Sequence, residues 1–232
     1  MIEIIATSVE DAIRIESCGG ERIELVSSLS EGGLTPSYGI IKNVINSVSI
    51  PVNVIVRPHS KSFVYSDEDI KIIIEDIKIA RELGAKGIVI GVLKENNTID
   101  FRVLEKFIKA ADKLHITFHR AIDEVDSIVE AVGQLSMYSE ITNILTSGGK
   151  GRIEDNINIL NEMTRNSRNI KILAGGGLKF SNIKGIMDNS MVLDYHFGTA
   201  VRENNSFNGN IHEVNLRSLI KLIKDTREGD IQ

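Results

Sequence analysis

The run VNVIVRPHSKSFVYSDEDIKIIIEDIKIARELGAKGIVI, residues 52–90, decides the fold. It begins as a strand. Asn53, Ile55 and Arg57 alternate with Val52, Val54 and Val56, and a strand turns successive side chains to opposite faces. The period then changes. Ile70, Ile73, Ile74 and Ile77 recur at i, i+3, i+4 and i+7, the stripe of a helix that buries one face. Ser66-x-x-Asp69 ahead of the stripe is a capping-box pattern. Gly84 after Leu83 suits the left-handed residue beyond a helix end. A second Ile/Val run opens at Gly87, so the stretch reads as strand, helix, strand.

The same alternation fills the chain in both directions. Short runs rich in Ile and Val begin near Glu3, Arg22, Val52, Gly87, His115, Ile141, Ile170 and Val192. Helical stripes lie between them, among them Ile41, Val44, Ile45, Val48, then Leu104, Phe107, Ile108, Ala111. Leu216, Leu219, Ile220 and Ile223 close the eighth unit. The Gly/Ser/Asn-rich pieces (27–36, 147–151, 175–177 and 204–210) are short and fall at strand ends, where no linker divides the chain. The pattern predicts an α/β protein, a single-domain TIM (β/α)8 barrel with parallel strands over residues 1–232. An open doubly wound sheet is the alternative, but that fold usually carries fewer strands in this length.

Composition bounds the function. The 232 residues are 42% hydrophobic and 25% charged, with a net charge of −5. No basic tract is present of the kind a phosphate backbone requires, so nucleic acid is not an expected partner. No apolar run approaches the roughly 18 residues of a membrane span, and the N-terminal residues lack the features of a signal peptide. The lone Cys18 gives neither a disulfide framework nor a paired-thiol metal motif. The expectation is a cytoplasmic protein with no membrane association.

The strands depart from plain apolar runs, and the departures share one face. Glu3 and Ile5 share a parity opposite Ile4 and Ala6. Arg22, Glu24 and Val26 oppose Ile23 and Leu25. His115, Thr117 and His119 oppose Ile116 and Phe118. Asp194 and His196 oppose Leu193, Tyr195 and Phe197. The apolar face must meet the helices, so the mixed face points into the barrel. Charges inside a barrel are costly unless paired or hydrated. A partly hydrated pocket at the carboxyl ends, where Glu24, Arg57, His119 and His196 can meet, resolves the cost. A buried structural network, such as Glu24 bridging Arg57, is the competing reading. Glu3 sits early in its strand and reads as structural.

Three kinds of chemistry follow. The first is proton transfer: His119 titrating near neutrality, with Glu24 as its partner acid or base. Arg57 and Arg120 would hold an anionic group of a small-molecule substrate, and Asp123 would orient His119, pair with Arg120 or simply start a helix. The second is an anion or phosphate cradle of Gly175, Gly176 and Gly177 after the seventh strand and Gly198 and Thr199 after the eighth, loops that barrels often use for phosphate. The alternative there is tight turning. The third is a metal site of Glu24, His119 and His196, against neutral, hydrogen-bonded histidines. His59 and His212 receive no role.

Several local strings, in order, complete the reading: Glu31-Gly32-Gly33-Leu34-Thr35-Pro36-Ser37; Arg57-Pro58; Tyr65-Ser66; Thr117-Phe118-His119-Arg120-Ala121 with Asp123; Leu145-Thr146-Ser147-Gly148; and Ala174-Gly175-Gly176-Gly177. Together they resemble the CutC family, named for a proposed role in copper homeostasis, over all but about the last 25 residues. The resemblance implies a TIM barrel, a cytoplasmic location, a homo-oligomer such as a dimer, and copper binding by cysteines near the ends of the first two strands. This chain departs there: it carries Ile5 and Ala6 on the first strand and Val26 on the second, while Cys18 falls on the first helix as a small packing residue. Two functions stand side by side: copper homeostasis through copper binding, by resemblance, and a barrel enzyme doing acid/base chemistry on a small polar or phosphorylated substrate.

Overall fold

The computed structural model describes residues 1–229. Eight parallel strands close in sequence order into a barrel. They are β1 (Ile2–Ala6), β2 (Arg22–Leu25), β3 (Val52–Ile55), β4 (Gly87–Ile90), β5 (His115–Phe118), β6 (Ile141–Thr146), β7 (Lys171–Ala174) and β8 (Asp194–Phe197). A helix follows each: α1 (Val9–Ser17), α2 (Tyr38–Ser47), α3 (Asp67–Glu82), α4 (Phe101–Ala111), α5 (Ile128–Leu135), α6 (Ile157–Asn166), α7 (Ile183–Asn189) and α8 (Glu213–Gly229). The closed ring excludes the open doubly wound sheet.

The local signals act as their chemistry requires. Ser66 and Asp69 form the full capping box at the start of α3, worth about 1 kcal/mol. Gly84 follows α3 with φ +92°, a conformation that glycine adopts without steric cost. Ile70, Ile73 and Ile77 are buried against the barrel, each contributing roughly 1.5–3 kcal/mol. The strands expected from Ile170 and Val192 begin later, at Lys171 and Asp194. Leu193 is instead exposed.

Strand alternation divides the apolar side chains into two bodies. Ile4, Ile23, Leu25, Val54, Ile88, Ile116, Phe118, Ile144, Ile172 and Phe197 join the large core between strands and helices. Ile5, Val26, Ile55 and Val89 form a separate small cluster on the opposite, inward parity. Register sets the polar residues beside it: Glu3 pairs with Arg22 on one side and His196 on the other, and Ile5 pairs with Glu24.

Candidate functional site

A cavity of about 540 Å³ opens at the carboxyl ends of the strands. Glu24, Arg57, His119, Arg120 and His196 all line it. Barrel closure thus brings together the side chains that strand parity had turned inward.

Beneath the cavity runs a buried polar chain. Arg22 donates through Nε to Glu3 and through Nη1 to Asn143 Oδ1 at 3.1 Å. The other Glu3 oxygen lies 2.7 Å from His196 Nδ1, and His196 Nε2 lies 3.6 Å from Glu24 Oε2. Glu3 is fully buried. Burial alone would raise its pKa, but Arg22 and His196 hold it below the usual carboxylate value. Glu24 has weaker support, and burial pushes it up to about 7, against the pull of His196 and with the help of Glu3. Burial would lower His196, but Glu24 and Glu3 together raise it. Glu24 is therefore the carboxyl poised between its two protonation states near neutral pH, and its partner is His196.

His119 behaves in the opposite way. It caps the 3₁₀ turn Arg120–Glu124, its Nδ1 accepting from the Ala121 N–H at 3.1 Å. Burial, then Arg57 and Arg120, push its pKa down to about 3. The expected near-neutral titration of His119 is thus corrected: the ring stays neutral because two guanidinium groups and burial disfavour a cation. Its hydrogen sits on Nε2, which is buried with no hydrogen-bond partner in the protein. Phe63 packs against the ring at 4.9 Å between centroids, and the Arg57 guanidinium covers the same Phe63 at 4.7 Å. Gly91 permits the arrangement, since an added Cβ would stand 2.5 Å from His119 Nδ1.

Arg57 is 7% exposed. Nη1 donates to the Glu31 and Gly33 carbonyls and Nη2 to that of Ser60, while Nε has no partner. Its positive charge is met by these carbonyls, with the Tyr65 hydroxyl and the Glu31 carboxylate nearby. Burial lowers its pKa. The structural alternative of Glu24 bridging Arg57 does not form.

Asp123 is not an orienter of His119, and it does not start α5. It accepts from Arg120 Nε at 2.8 Å, from Thr146 and Ser147 hydroxyls and from the Ser147 and Gly149 N–H groups. Its role is to fix Arg120 and the loop after β6. Gly176, Gly177, Gly198 and Thr199 line the cavity. Gly175 does not: a Cβ there would stand 2.6 Å from Leu145 and 3.1 Å from His196, so it serves close packing. Gly176 matters differently, because a Cβ there would lie 2.8 Å from Arg120 Cζ.

The metal arrangement is not assembled. Among the described residues no group of three His, Cys, Asp or Glu side chains is placed to hold a metal ion. Glu24 and His196 meet, while His119 is turned to Ala121 and Phe63. Sequence reasoning passed over Phe63, Asn143, Lys179 and Phe207. A polar Asn143 within the apolar run Ile141–Leu145 was a readable signal. Phe63, Lys179 and Phe207 reach the cavity from loops, whose paths no period encodes.

These features define a (β/α)8-barrel protein with an ionisable, cation-rimmed pocket at the carboxyl face of its barrel. The family model of the CutC family matches residues 1–201, and the chain belongs to that family. A Proteus mirabilis protein named family protein CutC is 38% identical over 82% of this chain and 76% of its own length. A Pasteurella multocida protein of the same name is 34% identical over 84% of this chain and 80% of its own. A solved Streptococcus agalactiae structure, described as a proposed copper homeostasis protein CutC, superposes with TM-score 0.81 at 33% identity, covering 86% of this chain and 98% of that one. A dihydrodipicolinate synthase structure superposes with TM-score 0.71 at 14% identity, over 99% of this chain and 76% of that one; it shares the fold alone.

The copper implied by the family name meets an unsuitable donor set. Cu(I) selects soft thiolate and thioether ligands. Cys18 is buried beside α8, its Sγ 3.9 Å from the Glu213 carbonyl. Ile5 and Val26 lie within the inner apolar cluster. The residues present do not form a thiolate copper site. No helix of the described residues is long and apolar enough to cross a membrane.

Proposed function

We propose that this chain is a barrel enzyme that moves a proton on a small anionic compound. The observation that carries the reading is Glu24, a buried carboxyl lining the cavity 3.6 Å from His196 Nε2, whose pKa burial pushes up to about 7. Such a group can both take and return a proton at neutral pH, which is the requirement for general acid/base catalysis. His119 supplies the complement. A neutral imidazole donates its Nε2 hydrogen to an oxygen that gains negative charge, a pattern known from barrel isomerases. In the step, Glu24 removes a proton from carbon next to a carbonyl, the electron pair moves to the carbonyl oxygen, and His119 stabilises that oxygen. The same carboxyl then returns the proton. Arg57 and Arg120 hold the substrate's anionic group, and the glycine loops after β7 and β8 shape its seat.

The test needs no knowledge of the product. A panel of phosphorylated and carboxylated carbonyl compounds is incubated with the protein in heavy water, and deuterium uptake at carbon is read by mass spectrometry. At least one compound exchanges, and Glu24→Gln, which keeps the shape and removes the base, slows exchange by about 100-fold or more. A panel that shows no protein-dependent exchange, or exchange indifferent to Glu24→Gln, removes the reading.

A further inference from the structure

The arrangement of cations around the mouth says more about the substrate than a single anion would require. Arg57 follows β3. Arg120 follows β5, but its guanidinium is carried sideways by Asp123 and Ser147 until it lies against Gly176, after β7. In a closed ring of eight strands taken in order, β3 and β7 stand on opposite sides. Arg57 therefore enters the cavity from the β3 side and Arg120 from beside the loop after β7. Lys179 lines the cavity from the β7 side as well.

Each pole keeps a guanidinium nitrogen with no hydrogen-bond partner among the described residues. Arg57 donates to three backbone carbonyls, has the Tyr65 hydroxyl and the Glu31 carboxylate nearby, and keeps a buried, unpartnered Nε. The nearby carboxylate of Glu31 accepts from the Ser60 hydroxyl. Arg120 does face a carboxylate, but Asp123 shares its charge among two hydroxyls and two N–H groups as well. The Arg120 side chain is also half exposed and lines the cavity, with Nη1 making no bond among the described residues. His119, with its unpartnered buried Nε2, and Glu24 of β2 line the same cavity.

We propose that the cavity takes a compound with an anionic group, phosphate or carboxylate, at each end, one held by Arg57 and the other by Arg120 with Lys179, so that Glu24 and His119 face the atoms between. The proposal rests on the proton-transfer reading for what happens to those middle atoms, but the binding geometry stands apart from it. Two guanidinium groups entering from different sides select for charge at both ends and for length. An anion held by Arg120 alone would leave the buried Arg57 charge without a carboxylate or phosphate partner, which a buried guanidinium tolerates poorly.

Unreactive probes separate the two ideas. Calorimetric titrations compare straight-chain diol bisphosphates of increasing carbon number with alkyl monophosphates of the same lengths, at fixed ionic strength. One bisphosphate length binds at least about tenfold tighter than its monophosphate. Arg57→Gln and Arg120→Gln each reduce that bisphosphate to the monophosphate level. Should Arg57→Gln disturb the loop it ties down, the length optimum on the unaltered protein decides alone. Equal affinity for mono- and bisphosphates, no length optimum, or no binding of either overturns the proposal. Deuterium exchange that persists through such a result leaves the proton-transfer reading standing; loss of exchange with the length optimum intact removes that reading alone.

Discussion

His119 and His196 occupy matching places and end in opposite states. Each lies on the inward face of its strand or just past its end, and each is almost wholly buried. On the β3–β5 side His119 is driven down to about 3 by burial, Arg57 and Arg120. On the β8–β2 side His196 is raised by Glu24 and Glu3 against the same burial. Identical side chains in near-identical solvation become a neutral donor and a cation-prone relay. The neighbours decide, because a charge within a few ångströms in a poorly hydrated site rivals the cost of desolvation. The barrel thus presents to one cavity a wall where His119 is held neutral between two guanidinium groups and a wall that carries Glu3 and Glu24, a division that acid/base sites commonly use.

The contrast breaks most severely at Glu3. Glu3→Gln strands Arg22 and His196 without their shared counterion, and the expected loss is about 3–5 kcal/mol, measured by urea unfolding. A loss near zero would mean that the carboxylate wall does not depend on Glu3. The other wall answers at Gly91. A methyl group there presses on the His119 ring, and Gly91→Ala should cost about 1–3 kcal/mol. It should also weaken the Ala121 N–H bond to Nδ1, visible as a changed Ala121 amide shift. An unmoved ring would place the rigidity elsewhere.

pH sharpens the comparison without mutation. His119 is lowered in the fold, so its stabilising contribution is present above about 6.5, its unfolded value, and is lost as pH falls from there toward about 3. His196 is raised, so its contribution is present below 6.5 and is lost as pH climbs through its folded value. Glu24 works in the same sense as His196, costing stability as pH rises from about 4.5 to about 7. Unfolding midpoints measured across pH should therefore flatten on the acid side in His119→Gln and on the alkaline side in His196→Gln. Swapped limbs would reverse the assignment of the two walls. The smallest expected effect concerns copper. Cys18 touches neither wall, so Cys18→Ser should leave Cu(I) affinity, titrated anaerobically, at the level of an unrelated histidine-containing protein. Tight binding lost with Cys18 would contradict the donor-set argument.

Much of this was legible along the chain. The barrel was, because each strand–helix unit declares itself locally: period two for Val52–Arg57, period 3.6 for Ile70–Ile77, a cap at Ser66 and a stop at Gly84. The inward set was also legible, since parity alone turns Glu24, Arg57, His119 and His196 to one face. What pairs with what was not. Glu3 and His196 are 193 residues apart and meet only because β8 closes on β1. Arg202 and Asp11, 191 apart, tie the last loop to α1 by the same closure. The reading of Glu24 with His119 failed for this reason, while of the two partners read for Asp123, Arg120 is the one it meets. Fold class, family and the side of the barrel that carries charge follow from local periodicity and local strings, so they could be read along the chain. Which histidine is held neutral, which carboxyl burial pushes up toward 7 and where each arginine enters the cavity depend on barrel closure, because protonation and charge placement follow from through-space neighbours that chain order does not encode.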